Sequence, residues 1–371
     1  MQKRICFPVF MLIFAIILIL PVCATAISAK SAVLIEAESG KIAYAKNENQ
    51  RLPMASTTKI MTAIVVLENA PLDKEVTIES CMTGIEGSSI YLQEGETLSV
   101  EELLYALLLE SANDAAVSLA ITVGETVDNF AEMMNQKAQE LGLTDTHFTN
   151  PHGLDDAEHY TTARELGIIA AHAMENEDFA KIVSTYKKEI SLNNGDGCRV
   201  LINHNRLLRA YDGAIGIKTG FTKRCGRCLV SSATRDGVTL ICVTLNDPND
   251  WQDHKQLLDY GFERYESVTL ANKGSYTVEL PVIGGEKGTF LADNKESLTI
   301  TLERGDSDIY AVLETNRLLC APVSRGDCVA KIVFYKNGEQ IGELPLFAKE
   351  NIKQLNYKKS LFERIFNHGK N

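Results

Sequence analysis

Between residues 31 and 265 the strand-like segments sit at the two ends and helical ones lie between them, so any sheet must be assembled from segments far apart in the chain. Ala32-Val-Leu-Ile-Glu-Ala37 is strand-like, Glu38-Ser-Gly-Lys41 reads as a turn and Ile42-Ala-Tyr-Ala45 resumes, which is a hairpin. At the far end Leu229-Val-Ser-Ser-Ala233 and Val238-Thr-Leu-Ile-Cys-Val243 are strands within a strand-rich stretch of residues 186–245, followed by a helix over 251–265. Between them a helix starts near Ser56, just after Pro53, with Ile60, Ala63, Ile64 and Leu67 on one face and Asn69-Ala-Pro71 ending it. Ser99-Val-Glu-Glu102 is a capping box ahead of a stripe made by Leu103, Leu104, Leu107 and Leu108. Residues 114–141 and 161–175 are also mainly helical. This order predicts an α+β domain.

The pattern changes after residue 266. Thr277-Val-Glu-Leu280, Leu298-Thr-Ile-Thr-Leu302 and Lys331-Ile-Val-Phe-Tyr335 are short strands, and Asn337-Gly338 between apolar runs marks a tight hairpin. Residues 267–350 are therefore expected to form a small all-β domain, without a catalytic cluster. In the tail, 354–371, Leu361, Phe362, Ile365 and Phe366 would share one helical face, rimmed by Lys358, Lys359, Arg364 and Lys370. That is the pattern of a helix lying on a membrane surface, or of one docked on its own β-domain.

Residues 1–26 read as a secretory signal peptide. Lys3 and Arg4 precede an almost wholly apolar run from Phe7 to Val22, and Ala24-Thr25-Ala26 offers a cleavage site. The run is slightly short for an uncleaved anchor. Val22 ahead of Cys23 is too large for a lipidation signal. Losing two positive charges and no negative ones takes the net charge from −12 to −14. So acidic a chain is poorly suited to nucleic acid. The expected chain is secreted, and a tail lying on a membrane would hold it at the outer face of the cytoplasmic membrane. Seven cysteines remain after the cut, an odd number at irregular spacing and no disulfide framework. Cys225-Gly-Arg-Cys228 alone suits redox chemistry or half a zinc site, but neither a second CxxC nor a nearby His pair completes a metal site. Buried or free thiols are the expectation, with no metal and no cofactor.

Three short motifs occur in order: Ser56-Thr-Thr-Lys59, Ser111-Ala-Asn113 and Lys218-Thr-Gly220. Each alone is weak, since Ser184-Thr-Tyr-Lys187 is a second SxxK and Ser191-Leu-Asn193 a second SxN. Context separates them. Ser56 opens a long apolar helix, which puts Lys59 one turn on and on the same face. Ser184 and Ser191 lie seven residues apart in a region read as strand-like, too close to form separate walls of a cleft. A serine hydroxyl needs a base to take its proton. No GxSxG elbow with a Ser-His-Asp set is present. Lysine serves as base if neutral, and burial or a neighbouring cation favours neutrality. Lys218 is a candidate for that neighbour. A serine at a helix start also gains backbone N–H groups suited to an oxyanion.

The ordered set SxxK, SxN, KTG occurs in class A β-lactamases and penicillin-binding proteins. With Gly87-Ser-Ser-Ile-Tyr-Leu92, Asn150-Pro-His-Gly-Leu154, His159-Tyr-Thr-Thr-Ala163, the run from Asp212 to Thr222 and Cys228-Leu-Val-Ser-Ser-Ala233, it makes the chain resemble a family. That family is the low-molecular-mass penicillin-binding proteins, D-alanyl-D-alanine carboxypeptidases of serine-peptidase family S11. The resemblance implies a β-lactamase/transpeptidase-like catalytic domain over 27–266, an antiparallel sheet flanked by helices, ahead of the β-domain. It implies removal of the terminal D-alanine from peptidoglycan stem peptides, and acylation by β-lactams. Ser56 would attack the carbonyl and become the acyl ester, Lys59 would be the base and Ser111 would relay a proton to the departing amine. Asn113 would hydrogen-bond the substrate backbone, Lys218 would hold positive charge and Thr219 would meet the carboxylate. Gly220 would let the substrate strand lie close, and the N–H groups of Ser56 and Phe221 would form the oxyanion hole. Cys225 departs from the small residue expected there.

Three rival readings carry distinct marks. A β-lactamase would need a deacylating glutamate, and Glu189-Ile-Ser-Leu-Asn193 matches ExxLN but lies only 29 residues before Lys218 in a strand-like stretch, so it reads as coincidence. A non-catalytic wall-binding protein would lack a member of the triple. A thiol-redox factor would work through Cys225 and Cys228.

Overall fold

The computed structural model describes residues 26–192, 197–315 and 318–355. The stretch before residue 26, with the leader and Cys23, and the amphipathic positions after residue 355 lie outside the described residues.

In chain order the elements begin with β1 (Ser31–Glu36), β2 (Ile42–Lys46), α1 (Lys59–Asn69), β3 (Glu75–Thr77), β4 (Thr97–Ser99), α2 (Val100–Leu109), α3 (Asn113–Gly124) and α4 (Val127–Glu140). Next come α5 (Ala163–Met174), α6 (Glu177–Ser184), β5 (Lys187–Leu192), β6 (Gly197–Ile202), α7 (Leu207–Ala210), β7 (Ala214–Thr222), β8 (Gly226–Arg235), β9 (Val238–Leu245) and α8 (Asp250–Arg264). The last part is all strand: β10 (Tyr265–Ala271), β11 (Thr277–Pro281), β12 (Thr289–Asn294), β13 (Leu298–Glu303), β14 (Ile309–Thr315), β15 (Cys328–Lys336) and β16 (Glu339–Ala348).

The ends of the first part meet. An antiparallel sheet runs β2-β1-β9-β8-β7, with Leu34 of β1 opposite Tyr44 on one side and Cys242 on the other. Both faces of its centre are buried, and the strand period of two sorts the side chains. Val33, Ile35, Ile241 and Val243 join the helical core with α1 to α6, while Ala32, Leu34, Leu240 and Cys242 pack with Leu257 and Leu258 of α8. α1 and α2 are apolar nearly all round and lie enclosed, as such helices must. The capping box closes at α2: Ser99 Oγ accepts from Glu102 N at 3.2 Å and Glu102 Oε2 from Ser99 N at 2.9 Å.

The second part has its own core around Phe290, Ile332, Phe334 and Leu346, on a sheet ordered β11-β12-β16-β15-β14. The β15–β16 hairpin turns at Asn337-Gly338, both with positive φ, pairing Lys336 with Glu339.

Two local readings are corrected and one is refined. Ser184 ends helix α6 instead of lying in a strand, because Phe179, Ile182 and Val183 bury one face of a single short amphipathic turn pair. Residues 114–141 are mainly helical as expected, a reading refined only by a break into two helices at Glu125, which takes φ +66°. Ser56 lies in a 3-10 turn, Ala55–Thr58, that feeds α1 at Lys59.

Candidate active site

The three motifs arrive from three separate elements. Ser56 comes from the turn before α1, Ser111 and Asn113 from the α2–α3 junction, and Lys218-Thr-Gly220 from β7, the edge strand beside that turn. Ala55 and Ser111 are held at φ +47° and +60°. Such conformations cost a non-glycine residue about 1–3 kcal/mol and persist where the surroundings impose them. Here they turn Ser56 and Ser111 towards a shared cavity of about 300 Å³, which both line with Thr219, Gly220 and Phe221.

Lys59 is the centre of the polar geometry. It is fully buried, and its Nζ lies 3.1 Å from Ser56 Oγ, 2.7 Å from Asn113 Oδ1 and 2.6 Å from the carbonyl oxygen of His152. The last two are acceptors only. They therefore take two N–H bonds of the amine and leave the third position facing the serine oxygen. The Asn113 amide cannot be turned over, because its Nδ2 donates to the Glu86 carbonyl at 2.6 Å. Asn113, expected to meet substrate, thus already spends one bond at each end inside the protein.

Burial lowers the Lys59 pKa well below the usual lysine value, and the charge of nearby Lys218 lowers it further. A neutral amine presents its lone pair where the Ser56 proton lies. Lys218 is itself enclosed, and burial brings its pKa down to about 7; its Nζ donates to the Thr219 carbonyl at 2.8 Å. Gly220 has a packing reason: an added Cβ would sit 3.1 Å from Ser56 N and 3.2 Å from Met54 O, so the glycine lets β7 close on the turn that carries Ser56.

The loop from Asn150 to His159, whose residues carry part of the family resemblance, braces the site. Besides the His152 carbonyl, Gly153 packs so tightly on Ala55 that a Cβ there would meet the Ala55 carbonyl oxygen at 2.0 Å. His159 Nδ1 accepts from Thr149 N at 3.0 Å, which assigns its proton to Nε2, 2.7 Å from Thr58 Oγ1. Burial takes this imidazole down to about 4, so it stays neutral and structural. Asp155 Oδ1 accepts from Thr222 Oγ1 at 2.9 Å and from the Cys225 thiol at 3.3 Å. One carboxylate thus ties the β7–β8 turn to the loop that holds Lys59.

Cys225 and Cys228 are free, buried thiols. Burial pushes them up to about 11 and about 12. The thiolate is the reactive form, so neither is disposed to redox exchange at neutral pH.

The rest of the cavity wall went unread in the sequence: His204, Arg206, Arg227, Asp250 and Trp251, the chain's one tryptophan. Asp250 accepts from Arg227 Nε at 2.9 Å, and the guanidinium carbons of Arg206 and Arg227 lie 5.9 and 5.7 Å from the Trp251 ring centre. These arginines are the permanent cations of the cavity.

The repeated motifs do not assemble. Ser184 Oγ bonds back to the Lys181 carbonyl, and Lys187 pairs with Glu189 on the surface. Ser191 N donates to Glu102 Oε1, and Asn193 lies outside the described residues. Among the described residues no group of three or more His, Cys, Asp or Glu is placed to hold a metal ion, and no helix is long and apolar enough to cross a membrane.

A serine hydroxyl beside a buried lysine amine of lowered basicity, on an α+β scaffold with a trailing β-domain, is an arrangement suited to acyl transfer. Residues 21–249 match the D-alanyl-D-alanine carboxypeptidase family, Peptidase S11, and residues 265–354 match the penicillin-binding protein 5 C-terminal domain. D-alanyl-D-alanine carboxypeptidase DacF of Bacillus subtilis is 33% identical over 341 residues, covering 89% of this chain and 87% of that one. DacC of Escherichia coli is 32% identical over 351 residues, 89% and 86% of the two chains. The structure of penicillin binding protein 5 from Haemophilus influenzae superposes with a TM-score of 0.68 at 32% identity, covering 88% of this chain and 98% of that one. The chain belongs to the S11 family of low-molecular-mass penicillin-binding serine peptidases.

Proposed function

We propose that this S11 peptidase removes the terminal D-alanine from peptidoglycan stem peptides through an acyl ester on Ser56, acting in wall maturation and cell shape. The observation that carries the reading is the placement of Lys59 Nζ, 3.1 Å from Ser56 Oγ and held by two acceptors. Lys59 takes the Ser56 proton as the oxygen attacks the D-alanyl-D-alanine carbonyl. The N–H groups of Ser56 and Phe221 receive the developing oxyanion. Ser111 passes a proton to the departing D-alanine amine, and water then hydrolyses the ester. Asn113 steers the substrate backbone with its remaining N–H, Gly220 keeps β7 close, and Thr219 meets the terminal carboxylate beside the charge of Lys218. Arg227 and Arg206 add fixed positive charge at the mouth.

A β-lactam acylates Ser56 by the same steps. The one carboxylate lining the cavity among the described residues, Asp250, is held by Arg227, and Glu189 is on the surface. Deacylation is therefore slow and the drug inhibits. The chain is organised as a leader (1–26), a catalytic domain (27–266), a β-domain (267–350) and an amphipathic tail (354–371) suited to the outer face of the cytoplasmic membrane or to docking on the β-domain. The test is D-alanine release from a pentapeptide by the secreted chain. Release that vanishes in Ser56→Ala supports the reading; equal release from that variant refutes it.

A further inference from the structure

Far from the nucleophile, the start of the folded chain is held by two acidic side chains. Asp253 Oδ2 accepts from Ser28 N at 2.5 Å, Ser28 Oγ at 2.9 Å and Ala29 N at 3.3 Å. The same Ser28 Oγ lies 2.7 Å from Asp247 Oδ1, so its one proton is shared between the two carboxyls, and Asp247 Oδ1 also accepts from Asn249 N at 3.0 Å. Both residues are buried, at 0% and 4% exposure for Asp247 and Asp253, and Asp247 Oδ2 has no hydrogen-bond partner among the described residues. Two enclosed carboxyls sharing one hydroxyl repel each other when both are ionised, and burial, with the charge of Asp253, raises the Asp247 pKa. Among the described residues no cation is hydrogen-bonded or ion-paired to either carboxyl: Lys46 Nζ, the nearby ammonium, donates to the Ile27 carbonyl at 2.6 Å, His254 is enclosed between Ser231 and Thr244, and Tyr44 and Cys242 are neutral neighbours.

Ile27 is buried while Ala26 is exposed. Consecutive backbone nitrogens are about 3 Å apart, which puts Ile27 N within about 6 Å of Asp253 Oδ2. We propose that Asp247 and Asp253 form a binding site for the α-ammonium of Ile27, created when the Ala26–Ile27 bond is cut. The inference rests on the leader cut proposed above. A leader peptidase adds water across that amide: the hydroxyl goes to the Ala26 carbonyl carbon, the C–N bond breaks, and the freed amine takes up protons to become an ammonium. The uncut chain carries at this point only an uncharged amide.

The site reaches the catalytic cavity. Asp247 N donates to the Arg227 carbonyl at 2.9 Å, and Lys30 N to the Asn246 carbonyl at 3.1 Å. The turn that Asp247 anchors leads straight into Asp250 and Trp251, which line the cavity with Arg227.

The test compares the chain beginning at Ile27, released from a fusion that leaves no extra residue, with the same chain carrying a Gly-Ser extension. The Ile27 form is expected to melt higher by on the order of 3 °C or more, and its α-amine to react at least about tenfold more slowly with acetic anhydride, as charge pairing withholds the lone pair. Asp253→Asn should bring the two forms together in both readouts. Equal melting and equal amine reactivity in the two forms overturn the site even if Asp253→Asn folds poorly. Mass determination of the terminus of the secreted protein is the separate arm. A terminus at Ile27 supports the processing step, and any other terminus overturns it, whatever the melting shows.

Discussion

Lys59 and Lys218 share one enclosed space, and after burial itself the charge of Lys218 is what lowers the basicity of Lys59 most. Both amines have folded pKa values below their unfolded ones, Lys218 at about 7 against 10.5. Between those values the unfolded chain binds a proton that the native chain does not, so this group makes stability rise with pH across the window. The difference in Tm between wild type and Lys218→Met should therefore move in favour of wild type from pH 7 to pH 9. A difference that stays flat, or moves the other way, would show that Lys218 is charged throughout.

Lys59→Met should fold, since it replaces an enclosed amine by an apolar chain of similar length. Its acylation by penicillin should fall by about 10²–10⁴-fold, the usual worth of a positioned base. Lys59→Arg should not recover the rate, because a guanidinium keeps its proton. Stopped-flow acylation rates decide both points, and a fast Lys59→Arg enzyme would remove the lysine from the role of base.

Arg227→Ala removes a cation held in place by Asp250 at the cavity wall. A charge-assisted hydrogen bond contributes about 1.5–3 kcal/mol, so KM for a peptide ending in a free carboxylate should rise on the order of 10–100-fold. The same peptide with an amidated end should show no further loss in the variant. Equal losses on both would mean that Arg227 acts through packing on Trp251.

Asp155→Ala cuts the tie between the β7–β8 turn and the loop whose His152 carbonyl holds Lys59. kcat should drop by about tenfold or more through misplacement of the amine, with KM little changed. Asp155→Asn keeps an acceptor oxygen and should restore most of the rate. Failure of the asparagine to rescue would make the charge, rather than the tie, the relevant property.

What the sequence disclosed was local or motif-bound. The capping box at Ser99 and the Asn337-Gly338 hairpin are complete within a few residues, and both stand in the structure. Helix α6 was lost because the β-branched run around Val183 and Thr185 imitates a strand, while only three buried side chains carry the helical face. The left-handed backbone at Ala55 and Ser111 is imposed by tertiary packing and leaves no mark on residue type. The cavity wall of Arg206, Arg227, Asp250 and Trp251 comes from α7's approach, β8 and α8, which meet only once the sheet is closed. Likewise the Asp155–Cys225 contact spans 70 residues, so a CxxC whose thiols are buried and free, as the sequence leads one to expect, also supplies half of a brace that no local pattern announces.

The most direct test of the account is to incubate the chain with a fluorescent penicillin and locate the adduct by mass spectrometry, with Ser56→Ala and Ser184→Ala in parallel. The account predicts one adduct, on Ser56, lost in Ser56→Ala and kept in Ser184→Ala. An adduct on any other residue, or none on Ser56, would contradict it.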